Sequence, residues 1–160
     1  MDVAEFTRLA ASTSPQEDQL ITQLEQAVAL YQGEFLEAFS LAEAAPFEDW
    51  ARLKREQLQR TYLETLQRLA GLLEARGEYE RGLMYARRGV ELEPWDEEAQ
   101  RQLMRLLALS GKQAEALVQY EACRRSLRED LKIEPARETV QLYEQIRSQK
   151  MAAPTPERWA

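Results

Sequence analysis

The groups in this chain that could do chemistry are carboxylates, arginines and one thiol. Adjacent acids stand at Glu97-Glu98 and Glu129-Asp130. General acid–base work needs such groups paired in an apolar pocket, and these positions argue no such pocket. Cys123 is the single cysteine. It cannot form an internal disulfide, and its place on an apolar helix face points to inert burial rather than a reactive thiol. The 160 residues include no histidine. That removes Ser-His and Cys-His nucleophiles, imidazole bases and imidazole metal ligands. The six glycines are scattered, so there is no glycine-rich phosphate loop. The expectation is a protein that is not an enzyme, with no catalytic residue, cofactor or metal site. Its chemistry would be recognition through side chains such as Arg101 and Arg105, one helical turn apart.

The elements that position those arginines show themselves through a repeat. Leu69, Leu73, Gly77, Gly82 and Leu83 recur 34 residues later as Leu103, Leu107, Gly111, Ala116 and Leu117. A period of 34 is that of the tetratricopeptide repeat, a helix–turn–helix unit that buries its apolar face only against neighbouring helices. The expected fold is all-α, a tetratricopeptide-like array of about six helices including one long helix. Gly77 and Gly111 are its turns. Gly82, Ala116 and Tyr120 lie on the packed face, with small residues where helices cross closely. Projecting the repeat places Gln67, Glu74, Arg101 and Arg105 toward its groove, where the arginines could bind an acidic partner segment. The alternative is surface arginines paired with Glu97, Glu98 or Gln102.

Along the chain, residues 2–6 read as a short lead-in. Ser14, Pro15 and Glu17 make a helix start, with Ser14 as the cap, and that helix runs to about Tyr31 before Gly33. Residues 34–46 form a linker anchored by Phe35, Leu36 and Phe39. The long helix runs from near Pro46 to about Arg76, with Trp50, Leu53, Leu58, Tyr62, Leu66, Leu69 and Leu73 on its apolar face. Trp50 and Phe47 read as core anchors more readily than as a partner hot spot. Further helices are expected at Tyr79–Leu92, after Asp96 as a cap, from Gln113 to Leu131, and after Pro135. One domain is expected over residues 1–149, with a disordered tail at 150–160.

Net charge is −7 and apolar content 44%. An acidic chain is a poor direct binder of nucleic acid, because phosphate neutralisation needs clustered Lys and Arg. A DNA-reading helix–turn–helix across Leu103 to Leu117 would turn Gln113, Glu115, Gln119 and Glu121 outward, and the two acids repel phosphate. No apolar run is long enough to span a membrane. The opening Met-Asp-Val-Ala-Glu-Phe has no signal-peptide character, and a cytoplasmic location is expected.

Four segments combine into a more specific pattern: Asp2–Phe6; Leu30-Tyr31-Gln32-Gly33-Glu34-Phe35-Leu36; Phe47-Glu48-Asp49-Trp50 with Arg52-Leu53; and Pro94 to Leu142. The last contains Leu103-Met104, Gly111, Glu115-Ala116-Leu117, Tyr120, Leu127, Asp130-Leu131 and Glu134-Pro135. In order and spacing they resemble the bacterial transcriptional activator domain of the streptomycete antibiotic regulatory protein family and related regulators, over roughly residues 2–147. The resemblance implies a helical module that follows an N-terminal winged-helix DNA-binding domain. It implies action through domain packing, self-association as a homodimer, or contact with the transcription machinery. Residues 2–6 resemble the junction after a winged helix, so the expectation is either an excised domain or a protein without its own DNA reader. One departure stands out: the family usually has Glu-Leu-Gly where this chain has Asp130-Leu131-Lys132. A left-handed Lys132 would cost about 1–2 kcal/mol. The competing function is a free-standing tetratricopeptide-type adaptor that binds a peptide in its groove.

Overall fold

The computed structural model describes residues 3–32 and 48–148. Among these residues there are seven α-helices, a π-helical segment at Leu127–Leu131 and no strand. The chain divides into two compact units, Met1–Leu72 and Leu73–Ala160. No helix among the described residues is long and apolar enough to cross a membrane.

The first unit begins with α1 (Val3–Ala10), where the sequence suggested only a lead-in. Phe6 and Leu9, spaced i,i+3, are both buried, and that shared apolar face makes the segment a helix. Then comes α2 (Glu17–Leu30), whose N-cap is Gln16 with no side-chain cap. The expected Ser14 cap is therefore corrected. Ser14 Oγ accepts from the Gln16 N–H at 3.3 Å and donates to Gln19 Oε1 at 3.0 Å, closing a turn ahead of the helix. Leu20, Ile21, Leu24, Ala27 and Val28 are buried.

The long helix is α3 (Glu48–Ala75), 28 residues. Leu58, Tyr62, Leu66, Leu69 and Leu73 are buried as expected, but Leu53 is 56% exposed and leaves the apolar face. Within the first unit an aromatic column ties α3 to the earlier helices. Tyr31 stacks on Tyr62 with centroids 4.0 Å apart, and Phe6 meets Tyr31 at 5.7 Å. Polar contacts close the same seam: Gln32 Nε2 donates to Tyr62 Oη at 2.9 Å, and Arg68 Nη1 donates to the Ala10 carbonyl at 3.4 Å.

The second unit contains α4 (Tyr79–Leu92), α5 (Glu97–Leu109), α6 (Gln113–Ser126), the π segment Leu127–Leu131, and α7 (Arg137–Arg147). The 34-residue period is visible in its hydrogen bonds. The Gly77 N–H donates to the Glu74 carbonyl and the Glu78 N–H to Leu73; the Gly111 N–H donates to Ala108 and the Lys112 N–H to Leu107. Both are the same glycine-terminated helix end, with φ of +78° at Gly77 and +81° at Gly111. The helices that follow, α4 and α6, each have 14 residues. Asp96 caps α5, accepting from the Ala99 N–H at 3.0 Å.

Helix α5 packs against α4 and α6, and α7 packs on both α5 and α6. Leu103, Met104, Leu106, Leu107, Ala116, Cys123 and Leu127 form the core, and Gly82 is buried on α4. Buried Gln100 is satisfied on both sides, donating to the Pro94 carbonyl at 2.9 Å and accepting from Gln119 at 2.8 Å. Lys132 adopts the left-handed conformation, φ 58°, and donates from Nζ to the Glu129 carbonyl at 3.0 Å. Its turn ends the π segment where a glycine would carry no strain. The expectations at Gly33, Phe35, Leu36, Phe39 and Phe47, the side chain of Trp50, and the tail at 150–160 lie outside the described residues.

Candidate protein-interaction surface

The structure gives each expected contact residue a definite place. Arg105 forms a bidentate pair with Glu74, Nε to Oε2 at 3.1 Å and Nη2 to Oε1 at 3.2 Å. The planar guanidinium matches the carboxylate in this arrangement. Arg101 points elsewhere, donating from Nη1 to the hydroxyl of Thr139 at 2.9 Å. Thr139 in turn donates to Glu97 Oε1 at 2.8 Å, and the same oxygen accepts from the Ala136 N–H at 2.7 Å. Gln67 is half-buried in the first unit, whereas Glu74, Arg101 and Arg105 belong to the second.

The Glu97 interaction solves a local problem. The N-cap of α7 is Ala136, which has no side chain that could accept a hydrogen bond. An uncapped helix start leaves N–H groups without partners. Glu97 supplies the acceptor from α5, and the residue gains further from its negative charge at a helix N-terminus. Sequence reasoning missed Glu97 and Thr139 in this role. The signal that could have raised the question was Glu134-Pro135-Ala136, a helix start with no Ser, Thr, Asp or Asn at the cap position.

Tyr120 is buried, as its repeat position suggested, and stacks on Tyr143 with centroids 4.0 Å apart. Burial raises its hydroxyl pKa. Cys123 is fully buried. Burial, with Glu97 adding to it and Arg101 opposing, pushes its thiol up to about 11. A thiol held in its protonated form is a poor nucleophile. Two residues that the helix–turn–helix alternative would turn toward DNA are tied inward instead. Gln113 donates to the Ile146 carbonyl at 2.7 Å, and Gln119 donates to Gln100.

The outward face of α6 and α7 has a different character. A shallow depression of about 410 Å³ is lined by Leu117, Val118, Glu121, Ala122, Arg125 and Tyr143. Beside it lies a second, of about 290 Å³, lined by Glu121, Arg124, Arg125, Arg128 and Glu129. Val118 is 69% exposed. Exposed apolar side chains also stand at Trp95, Leu131 and Ile133, and Trp95 Nε1 donates to Asp130 Oδ2 at 3.1 Å. Among the described residues no group of three or more acidic or cysteine side chains could hold a metal ion.

These surfaces carry side chains of mixed polarity on a packed helical frame. Comparison with curated proteins gives no match. Comparison with solved structures gives none either. The family model described as bacterial transcriptional activator domain matches residues 1–147, nearly the whole chain, and the chain belongs to that family.

Proposed function

We propose that this chain is a non-catalytic regulatory domain of a bacterial transcriptional activator, acting by holding another protein rather than by binding nucleic acid itself. Membership of the activator-domain family over residues 1–147 carries this reading. The partner it would hold is a winged-helix DNA-binding domain, in the same polypeptide or another, a transcription-machinery protein, or a second copy of the chain. The net charge of −7 argues against direct DNA binding. A cytoplasmic location belongs to the same reading.

Arg101, Arg105, Gln67 and Glu74 are the proposed contacts. A partner carboxylate would displace Glu74 from Arg105 or Thr139 from Arg101, so acidic partners would compete with an internal ligand. The test is duplex-DNA binding by the chain alone and joined to a winged-helix domain. The expected result is negligible affinity alone and a gain over the winged helix by itself when joined. No gain in the joined protein would overturn the reading.

The identical turns at Gly77 and Gly111, 34 residues apart, favour one second reading, a tetratricopeptide-type adaptor. That protein would capture a peptide as an isolated chain and leave DNA binding unchanged when joined.

A further inference from the structure

We propose that the depression between α6 and α7 is a docking site for an apolar partner segment that carries a carboxylate. It rests on the reading of the chain as an interaction domain, but it places the contact at residues other than Arg101 and Arg105. Leu117, Val118, Ala122 and the ring of Tyr143 supply the apolar floor and walls. Val118 offers a large apolar side chain to solvent on a helix whose opposite face is already packed. Its repeat partner 34 residues earlier, Met84, is also exposed. The pair Arg87–Glu115, 3.4 Å apart, links α4 to α6.

Charge selects the occupant. Two charged groups line the depression, Glu121 and Arg125. Glu121 is compensated by Arg124 at 3.3 Å, and Arg128 in the adjoining depression is held by Glu134 at 3.0 Å. Arg125 has no hydrogen bond or ion pair among the described residues. The adjoining depression carries Arg124, Arg125 and Arg128 with Glu121 and Glu129, and Glu134 is paired to Arg128. A carboxylate on a segment seated over Val118 meets the one unsatisfied cation there. Nucleic acid would meet Glu121 and Glu129 beside each phosphate.

The test is a titration of the isotope-labelled full chain, followed by NMR, with two short synthetic amphipathic helices. One is built of Leu, Ala and Glu, and the other has Gln in place of every Glu. The expected result is that the Glu peptide shifts the resonances of Leu117, Val118, Ala122 and Tyr143. The Gln peptide and the Arg125→Gln variant should each weaken binding by roughly tenfold, the size of one charge-assisted hydrogen bond. Val118→Asp should abolish it. Both side chains face solvent, so the variants should melt like the parent; Val118→Ser replaces any that does not.

Absence of shifts at those residues, or equal binding of the two peptides, overturns the proposal. So does self-association that Val118→Asp abolishes, or duplex DNA moving the same resonances. The joined-protein DNA assay reads a different quantity, so failure here and failure of the activator reading are separable.

Discussion

Glu97 and Thr139 sit on different helices, 42 residues apart in sequence, and the hydroxyl of Thr139 donates to Glu97 Oε1 at 2.8 Å. The same oxygen takes the Ala136 N–H, so α5 caps α7. Thr139 is fully buried. Removing the acceptor leaves donors without partners, at about 1–3 kcal/mol. Glu97→Ala should lower stability by that amount in urea unfolding. Hydrogen exchange should show α7 opening before α5 and α6. Uniform loosening across the second unit would mean that the cap is not what holds α7.

Lys132 holds a left-handed backbone that glycine adopts without strain. Lys132→Gly should stabilise the chain by about 0.5–1 kcal/mol. That is the relieved strain less the greater chain entropy of glycine and the lost Nζ bond to Glu129. Chemical denaturation of the pair reads this directly, and a destabilised variant would mean that the Nζ bond outweighs the strain.

Gly77 and Gly111 share a positive φ, and a Cβ added at either meets nothing within 4 Å. Steric overlap is therefore not the constraint, and the cost of Ala is conformational, about 1–2 kcal/mol at each site. The two Gly→Ala variants should lower the thermal midpoint by similar amounts. A much larger loss at one site would show that the two turns are not equivalent.

Cys123 makes the chain sensitive to alkali. Its folded pKa of about 11 lies above the ordinary 9.0, so the folded state binds the proton more tightly. This contribution is intact below about pH 9 and is lost as pH rises through 11. Tyr31 and Tyr120, both raised by burial, act in the same direction above pH 10. Cys123→Ala should flatten the fall of the melting midpoint across that window. In the native protein the thiol should react with Ellman's reagent only as the chain unfolds.

Arg105 is occupied by Glu74 in a half-buried bidentate pair. A double-mutant cycle on the two should give a coupling of roughly 0.5–1 kcal/mol, the upper part of the range for pairs that keep solvent contact. If Arg105 also serves an acidic partner, Glu74→Gln should free it and raise that partner's affinity, measured by calorimetry. Weaker binding in Glu74→Gln would mean that Glu74 itself contributes to the contact.

What the sequence determined was local. The bounds Tyr79–Leu92, the Asp96 cap and the turns at Gly77 and Gly111 follow from residues within a few positions of one another. Helical periodicity, capping and left-handed turns are settled over one or two turns of chain, so residue order alone makes them legible. The family pattern was legible for a similar reason, because it consists of short segments at fixed spacing. Tertiary structure decided the rest. It made α1 a helix by burying Phe6 against Tyr31, turned Leu53 outward, and gave Arg101 to Thr139 and Arg105 to Glu74. It also left Val118 and Arg125 facing solvent on one side of α6. Those outcomes depend on how each helix is rotated about its axis and which neighbour it meets, and pairings across 25 to 42 residues have no signature within a single helical turn.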